Sequence, residues 1–156
     1  MKIEFYKYQG TGNDFVILDN RNNKYSELTP EQVKQICDRR FGVGADGLML
    51  LGTKKYLDFE MTYYNADGNV SSMCGNGGRC LVKFANLMGI HKSTYHFIAV
   101  DGKHEAEIDM QDNVRLKMQD VYHVEYHSGH NVVNTGSPHF VKFANNVEDI
   151  DVVETG

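Results

Sequence analysis

The chain has 156 residues, 41% of them hydrophobic and only two of them proline, a composition that fits a globular protein with one substantial core. Its net charge of -5 carries no basic stripe, which argues against nucleic acid as a partner, and no apolar run approaches the roughly 20 residues of a membrane helix. The start, MKIEFYKYQ, alternates like a strand and lacks the apolar centre of a secretory leader; three cysteines, an odd number, fit free thiols in a reducing compartment, so the expected location is cytoplasmic.

In chain order, residues 3–8 and 15–19 read as strands flanking the glycine-rich turn QGTGND. Thr29 as N-cap, Pro30 at the first helical position and Gln32 three residues after the cap predict a helix start. Val33, Ile36 and Cys37 give that helix an apolar stripe, which places Cys37 in the core, and FGVGADG at 41–47 ends it. LMLL at 48–51 predicts a short buried strand, and Phe59, Met61 and Tyr63 alternate along another. Leu81, Phe84, Ala85 and Met88 have helical spacing, with Gly89 placed to end this second helix. From Thr94 the pattern returns to strands: TYHFIAV, the turn DGK, HEAEIDM, the turn QDN, then VRLKMQ. Asp101-Gly102 is a strong hairpin signal. One more strand is expected over 121–127, after which SGHNVVNTGSPHF returns to glycine and asparagine. The order predicts an α+β fold, strands wrapped around one glycine-started helix, rather than an alternating parallel sheet.

Before that second helix lies NADGNVSSMCGNGGRC, with Cys74 set among glycines and asparagines. A helix beginning near Gly75 puts free N–H groups and a positive dipole end beside Cys74, a setting that favours the reactive thiolate. Glycines at 75, 77 and 78 are expected to let the backbone approach a ligand closely, so the same N–H groups could hold a carboxylate. A base beside an anion cradle suits removal of a proton from the carbon next to a carboxylate. The residues alone equally allow a helix-start turn with a buried cysteine. A redox pair of Cys74 with Cys80 is disfavoured. Six helical positions separate them by about 240° and roughly 9 Å, too far for a disulfide or a shared zinc. Cys80 therefore reads as packing.

Five motifs occur in order: GTGNDF, RRFGVGADG (39–47), YNADGN (64–69), MCGNGGRC (73–80) and TGSPHFV (135–141). With compatible spacing from about residue 9 to 141, the chain resembles the diaminopimelate epimerase family. MCGNGGRC alone would leave open proline-racemase-like or phenazine-biosynthesis-like isomerases. The resemblance implies a fold of mostly antiparallel strands around a central helix, with a domain over 1–119 and the beginning of a second over 120–156. It also implies epimerisation of LL- to meso-diaminopimelate without pyridoxal phosphate or metal, by two cysteines on opposite faces of the α-carbon. By motif, Cys74 is one of the two, Gly75 and Asn76 form the carboxylate cradle, and Asn13 and Asn65 bind substrate. His139 matches a histidine that tunes the catalytic thiol; Ser137 stands where many members have asparagine, and Gly47 where some have glutamine. Asn13, Asn65 and His139 each also have an ordinary turn or surface explanation.

His123, Glu125 and His127 alternate onto one strand face, which reads as solvated rather than as a metal site. Neither Cys37 nor Cys80 suits the second acid–base role. The expectation is therefore a chain that lacks the second cysteine and turns over little alone, with a homodimer that opposes two Cys74 thiols as the less favoured alternative. A non-catalytic anion-binding module is the competing class.

Overall fold

Short apolar runs punctuated by glycine and asparagine give the chain its strands, and the two amphipathic runs give its main helices. The computed structural model describes residues 2–155, and the chain divides between Met118 and Gln119 into two compact units. In the first, β1 (Tyr6–Gly10), β2 (Asn13–Asp19), β3 (Gly47–Gly52), β4 (Phe59–Asn65), β5 (Thr94–Ala99), β6 (Gly102–Ile108) and β7 (Val114–Leu116) form one sheet in sequential order. Helix α1 (Pro30–Cys37) joins β2 to β3 and α2 (Gly75–Leu87) joins β4 to β5. Those two strand pairs are parallel and the other neighbours antiparallel, because only a crossover long enough to hold a helix can return a chain parallel to itself.

The central strands are covered on both sides, and their alternation sorts the core. Val16, Leu18, Leu48 and Leu50 face α1 with Val33 and Cys37, while Phe15, Ile17, Met49 and Leu51 face α2 with Leu81, Phe84 and Ala85. This two-sided burial explains why LMLL is an unbroken apolar run. The sheet curls around α2, which touches both edge strands, β1 and β7. The fold is thus the expected α+β type.

Local signals account for the ends of these elements. The Thr29 hydroxyl accepts from Gln32 N–H and the Gln32 side chain accepts from Thr29 N–H at 2.9 Å, the reciprocal cap the sequence predicts. Helix α2 ends at Gly89, whose φ of +91° lets Ile90 N–H reach back to Ala85 O at 3.0 Å. The first hairpin differs from expectation. Its strands run into QGTGND and close on Thr11-Gly12, both at positive φ, so β1 spans Tyr6–Gly10 rather than 3–8. Two successive positive-φ residues match the twist of a tight hairpin, and pairing therefore continues to the turn.

In the second unit, β8 (Val124–His127), β9 (His130–Asn134) and β10 (Pro138–Val141) make an antiparallel sheet in the order β10-β9-β8, and a short helix α3 (Val152–Thr155) follows. Strand β8 is shorter than the expected 121–127, and the glycine- and asparagine-rich SGHNVVNTGSPHF, to which the sequence pattern assigns no strand, supplies two strands. Its glycines sit in the turns, where Gly129 and Gly136 have positive φ, leaving HNVVN and PHFV free to pair. No described side chain of this unit is buried. Among the described residues, no helix is long and apolar enough to cross a membrane.

Candidate functional site

The three thiols occupy different environments. Cys37 and Cys80 lie in the two halves of the core, and burial pushes each up to about 11. Cys74 is half-buried and stands at the N-cap of α2 with extended backbone (φ -114°, ψ 116°), while its carbonyl accepts from Gly78 N–H at 2.8 Å. Its side chain does not cap the helix. The first-turn N–H groups beside it thus have no intrahelical partner, as at any helix start.

Not every glycine of CGNGG serves that opening. A Cβ on Gly75 would meet only ordinary contacts, the nearest being Arg79 Nη1 at 3.6 Å. On Gly77 it would lie 1.8 Å from Met49 Cε, and on Gly78 2.6 Å from Met73 Cε. Gly77 and Gly78 are buried and let α2 settle onto the sheet, so of the three glycines only Gly75 fits the expected ligand approach.

The β1–β2 hairpin brings the next residues in. Asn13, first residue of β2, places its Oδ1 3.5 Å from Cys74 Sγ. Thr11, in the hairpin turn, donates from its hydroxyl to Asn76 Oδ1 at 3.1 Å, and Arg79 donates to the same oxygen. Asn13, Cys74, Gly75 and Asn76 are therefore assembled at one end of α2. Asn65 closes β4 in the same sheet row as Gly47 and Phe15, with its backbone in the turn that bonds Asn69 O and Gly68 N–H at 2.9 Å. It connects to Asn13 through Asp46, whose carbonyl accepts from Ala66 N–H at 3.1 Å and whose Oδ2 accepts from Asn13 Nδ2 at 2.8 Å.

Sequence inspection missed a charged network behind Asn13. Asp14 is bound by Arg39 (2.8 and 3.1 Å) and Lys7 (2.8 Å), and Arg39 also reaches Asp46 at 2.8 Å. The Arg39 guanidinium, with Lys7 behind it, holds the Asp14 carboxyl well below the usual range. Asp14, Arg39 and Asp46 lie inside the quoted motifs GTGNDF and RRFGVGADG, which was the available signal; Lys7 lies outside both. Tyr63 was missed as well. Burial first, then the neighbouring Cys74 thiol, pushes its phenol up to about 12, so it stays protonated. Gly47 has a packing reason: a Cβ there would lie 2.4 Å from Tyr63 Cε2 and 2.5 Å from Tyr64 O.

Ser137 and His139 belong to the second unit. Ser137 sits in the turn between β9 and β10 with its carbonyl accepting from Thr135 N–H at 3.1 Å. His139 is exposed on β10, with Nε2 2.9 Å from Thr135 Oγ1. His127 stacks on His130 at 4.8 Å and His130 on Phe140 at 4.5 Å, while Glu125 lies 3.7 Å from His127. His123 precedes β8. Among the described residues no group of three or more His, Cys, Asp or Glu could hold a metal ion.

A sequence model of the family described as diaminopimelate epimerase matches residues 5–124. A diaminopimelate epimerase of Flavobacterium psychrophilum is 50% identical over 154 residues, which cover 99% of this chain and 60% of that protein. One of Chlorobaculum tepidum is 45% identical over 155 residues, covering 94% of this chain and 60% of that protein. The chain thus spans about 60% of the length of these relatives. Among solved structures, a phenazine biosynthesis protein of the PhzF family from Bacillus anthracis aligns with 91% of this chain and 57% of its own, at TM-score 0.67 and 17% identity. A methylitaconate-delta-isomerase aligns with 85% of this chain and 41% of its own, at TM-score 0.55 and 16% identity. These two likenesses are of fold.

Proposed function

Because the chain belongs to the diaminopimelate epimerase family, we propose that it carries one of the two acid–base thiols of a cofactor-independent diaminopimelate epimerase. The observation that carries this reading is the placement of Cys74. It is the one half-buried thiol, set at the start of α2 with Asn13 against its sulfur, while Cys37 and Cys80 are sealed in the core.

In the proposed reaction the Cys74 thiolate takes the proton from the α-carbon of the bound substrate. The C–H electron pair stays on the carbon and spreads into the adjacent carboxylate, where the N–H groups of Gly75 and Asn76 meet the developing charge. A second acid on the opposite face then returns a proton and inverts the centre. Run the other way, Cys74 as thiol is the donor. Asn13 and Asn65 would orient the substrate's polar groups, and Ser137 and His139 are carried over by motif as further candidate site residues on the second unit. The second unit buries no described side chain of its own, which supports reading it as the start of a larger domain that supplies the opposing acid–base group.

Deuterium exchange tests this directly. A form with a complete second domain, incubated with LL-diaminopimelate in D₂O, should place deuterium on one α-carbon, and Cys74→Ala should abolish the exchange. Normal exchange by Cys74→Ala would sink the assignment. The 156-residue chain by itself should show little or no turnover.

A further inference from the structure

We propose that Asp46 is a positioning residue that fixes which end of the Asn13 amide faces Cys74, holding a carbonyl acceptor rather than an N–H donor against the sulfur. This rests on reading Cys74 as the acid–base thiol. An ionised carboxylate can only accept hydrogen bonds, so the group of Asn13 that faces it must be the NH₂. Asp46 Oδ2 receives Asn13 Nδ2 at 2.8 Å and Asp14 N–H at 3.1 Å, while Oδ1 receives Arg39 at 2.8 Å. The Asn13 amide, and next the Asp14 N–H, hold the Asp46 carboxyl below its usual range, so it is ionised at neutral pH.

The carboxylate is itself held in place. Its backbone N–H bonds Asp14 O at 3.0 Å, its carbonyl accepts from Ala66 N–H at 3.1 Å, and Arg39 ties it to Asp14. With Nδ2 committed there, the opposite end of the Asn13 amide is Oδ1, and this is the atom 3.5 Å from Cys74 Sγ. A carbonyl oxygen cannot donate, so the contact it makes is with the protonated thiol, S–H donating. A turned amide would present N–H instead and support the thiolate. The helix start and the Asn13 carbonyl therefore act on the sulfur in opposite senses, and Asp46 sets the second of them.

The test is the rate of Cys74 alkylation by iodoacetamide at pH 7 on the full chain, quantified at that residue by peptide mass spectrometry. Cys37 and Cys80, buried with protonated thiols, give little background. Asp46→Ala frees the amide to turn, and alkylation should rise about fivefold, the factor of one ordinary hydrogen bond. In an Asn13→Ala background the same change should have no effect. An equal rise in both backgrounds would show that Asp46 acts through its field alone, and no rise in the otherwise native chain would show that the amide does not turn; either overturns the proposal. Should Asp46→Ala fail to fold by circular dichroism, the native chain still decides. Its Asn13 side-chain amide protons should exchange more slowly than those of a solvated surface asparagine, and equal exchange overturns the orientation. Alkylation needs no substrate, so its outcome is separate from that of deuterium exchange.

Discussion

Alkaline pH should destabilise the first unit through its two core thiols. Cys37 is 3% exposed and Cys80 5% exposed, and burial pushes each from 9.0 up to about 11. Between those values the unfolded chain has lost the protons and the folded chain retains them. Stability is therefore fully present below about pH 9 and falls as pH rises toward the folded value near 11. A displacement of about 2 in pKa corresponds to about 2.7 kcal/mol per thiol at the end of that window. The pair thus approaches about 5 kcal/mol, comparable with the whole stability of a marginal domain. Urea melts under reducing conditions at pH 8, 9, 10 and 11 would measure this against Cys80→Ala and Cys37→Ala. Each alanine adds a cavity cost that does not vary with pH but removes one thiol's linkage. The gap between native chain and variant should narrow by about 2.7 kcal/mol per thiol as pH rises to 11. Ionisations common to native chain and variant cancel in that gap. A gap that stays constant from pH 8 to 11 would refute the view that these thiols are held neutral by burial.

Other consequences test the same structure. Gly47→Gln should lower the melting temperature, by an overpacking cost of about 1–3 kcal/mol, because its Cβ would enter the space of the Tyr63 ring and the Tyr64 carbonyl. Phe84→Ala should cost about 3–5 kcal/mol in denaturant melts, since the ring is fully buried and packs against Tyr6 at 4.8 Å and Tyr8 at 6.0 Å. Asp14 has a folded pKa held down by Arg39 and then Lys7, so its contribution is present above the ordinary carboxylate range and lost as pH falls below it. Asp14→Asn should accordingly flatten the acid side of the stability profile, read from melting temperatures between about pH 6 and 2; an unchanged slope would mean the network adds nothing.

Much of the fold lies in local pattern. Thr29, Pro30 and Gln32 announce α1 because capping is settled within one turn of chain. The apolar spacing of Leu81, Phe84 and Ala85, closed by Gly89, announces α2 for the same reason. The strands of the second unit were legible only in part. HNVVN and PHFV are short and rich in turn formers, so they are defined by pairing with the neighbouring strand across each turn rather than by alternation of their own.

The site divides along the same line. Cys74 at a helix start, the neighbouring Gly75 and Asn76, and the core fate of Cys37 and Cys80 follow from spacing along single helices. The sequence by itself therefore determined which thiol is available and what backbone surrounds it. Only tertiary structure decided that Asn13 meets that thiol across 61 positions of chain, and that Asp46, held by Arg39 and beside Asp14, orients it. It also decided that Gly77 and Gly78 serve packing, because that depends on Met49 and Met73 rather than on the helix that carries them. Local backbone preferences are written in neighbouring residues; the direction in which an amide points is set by whatever the fold puts on its other side.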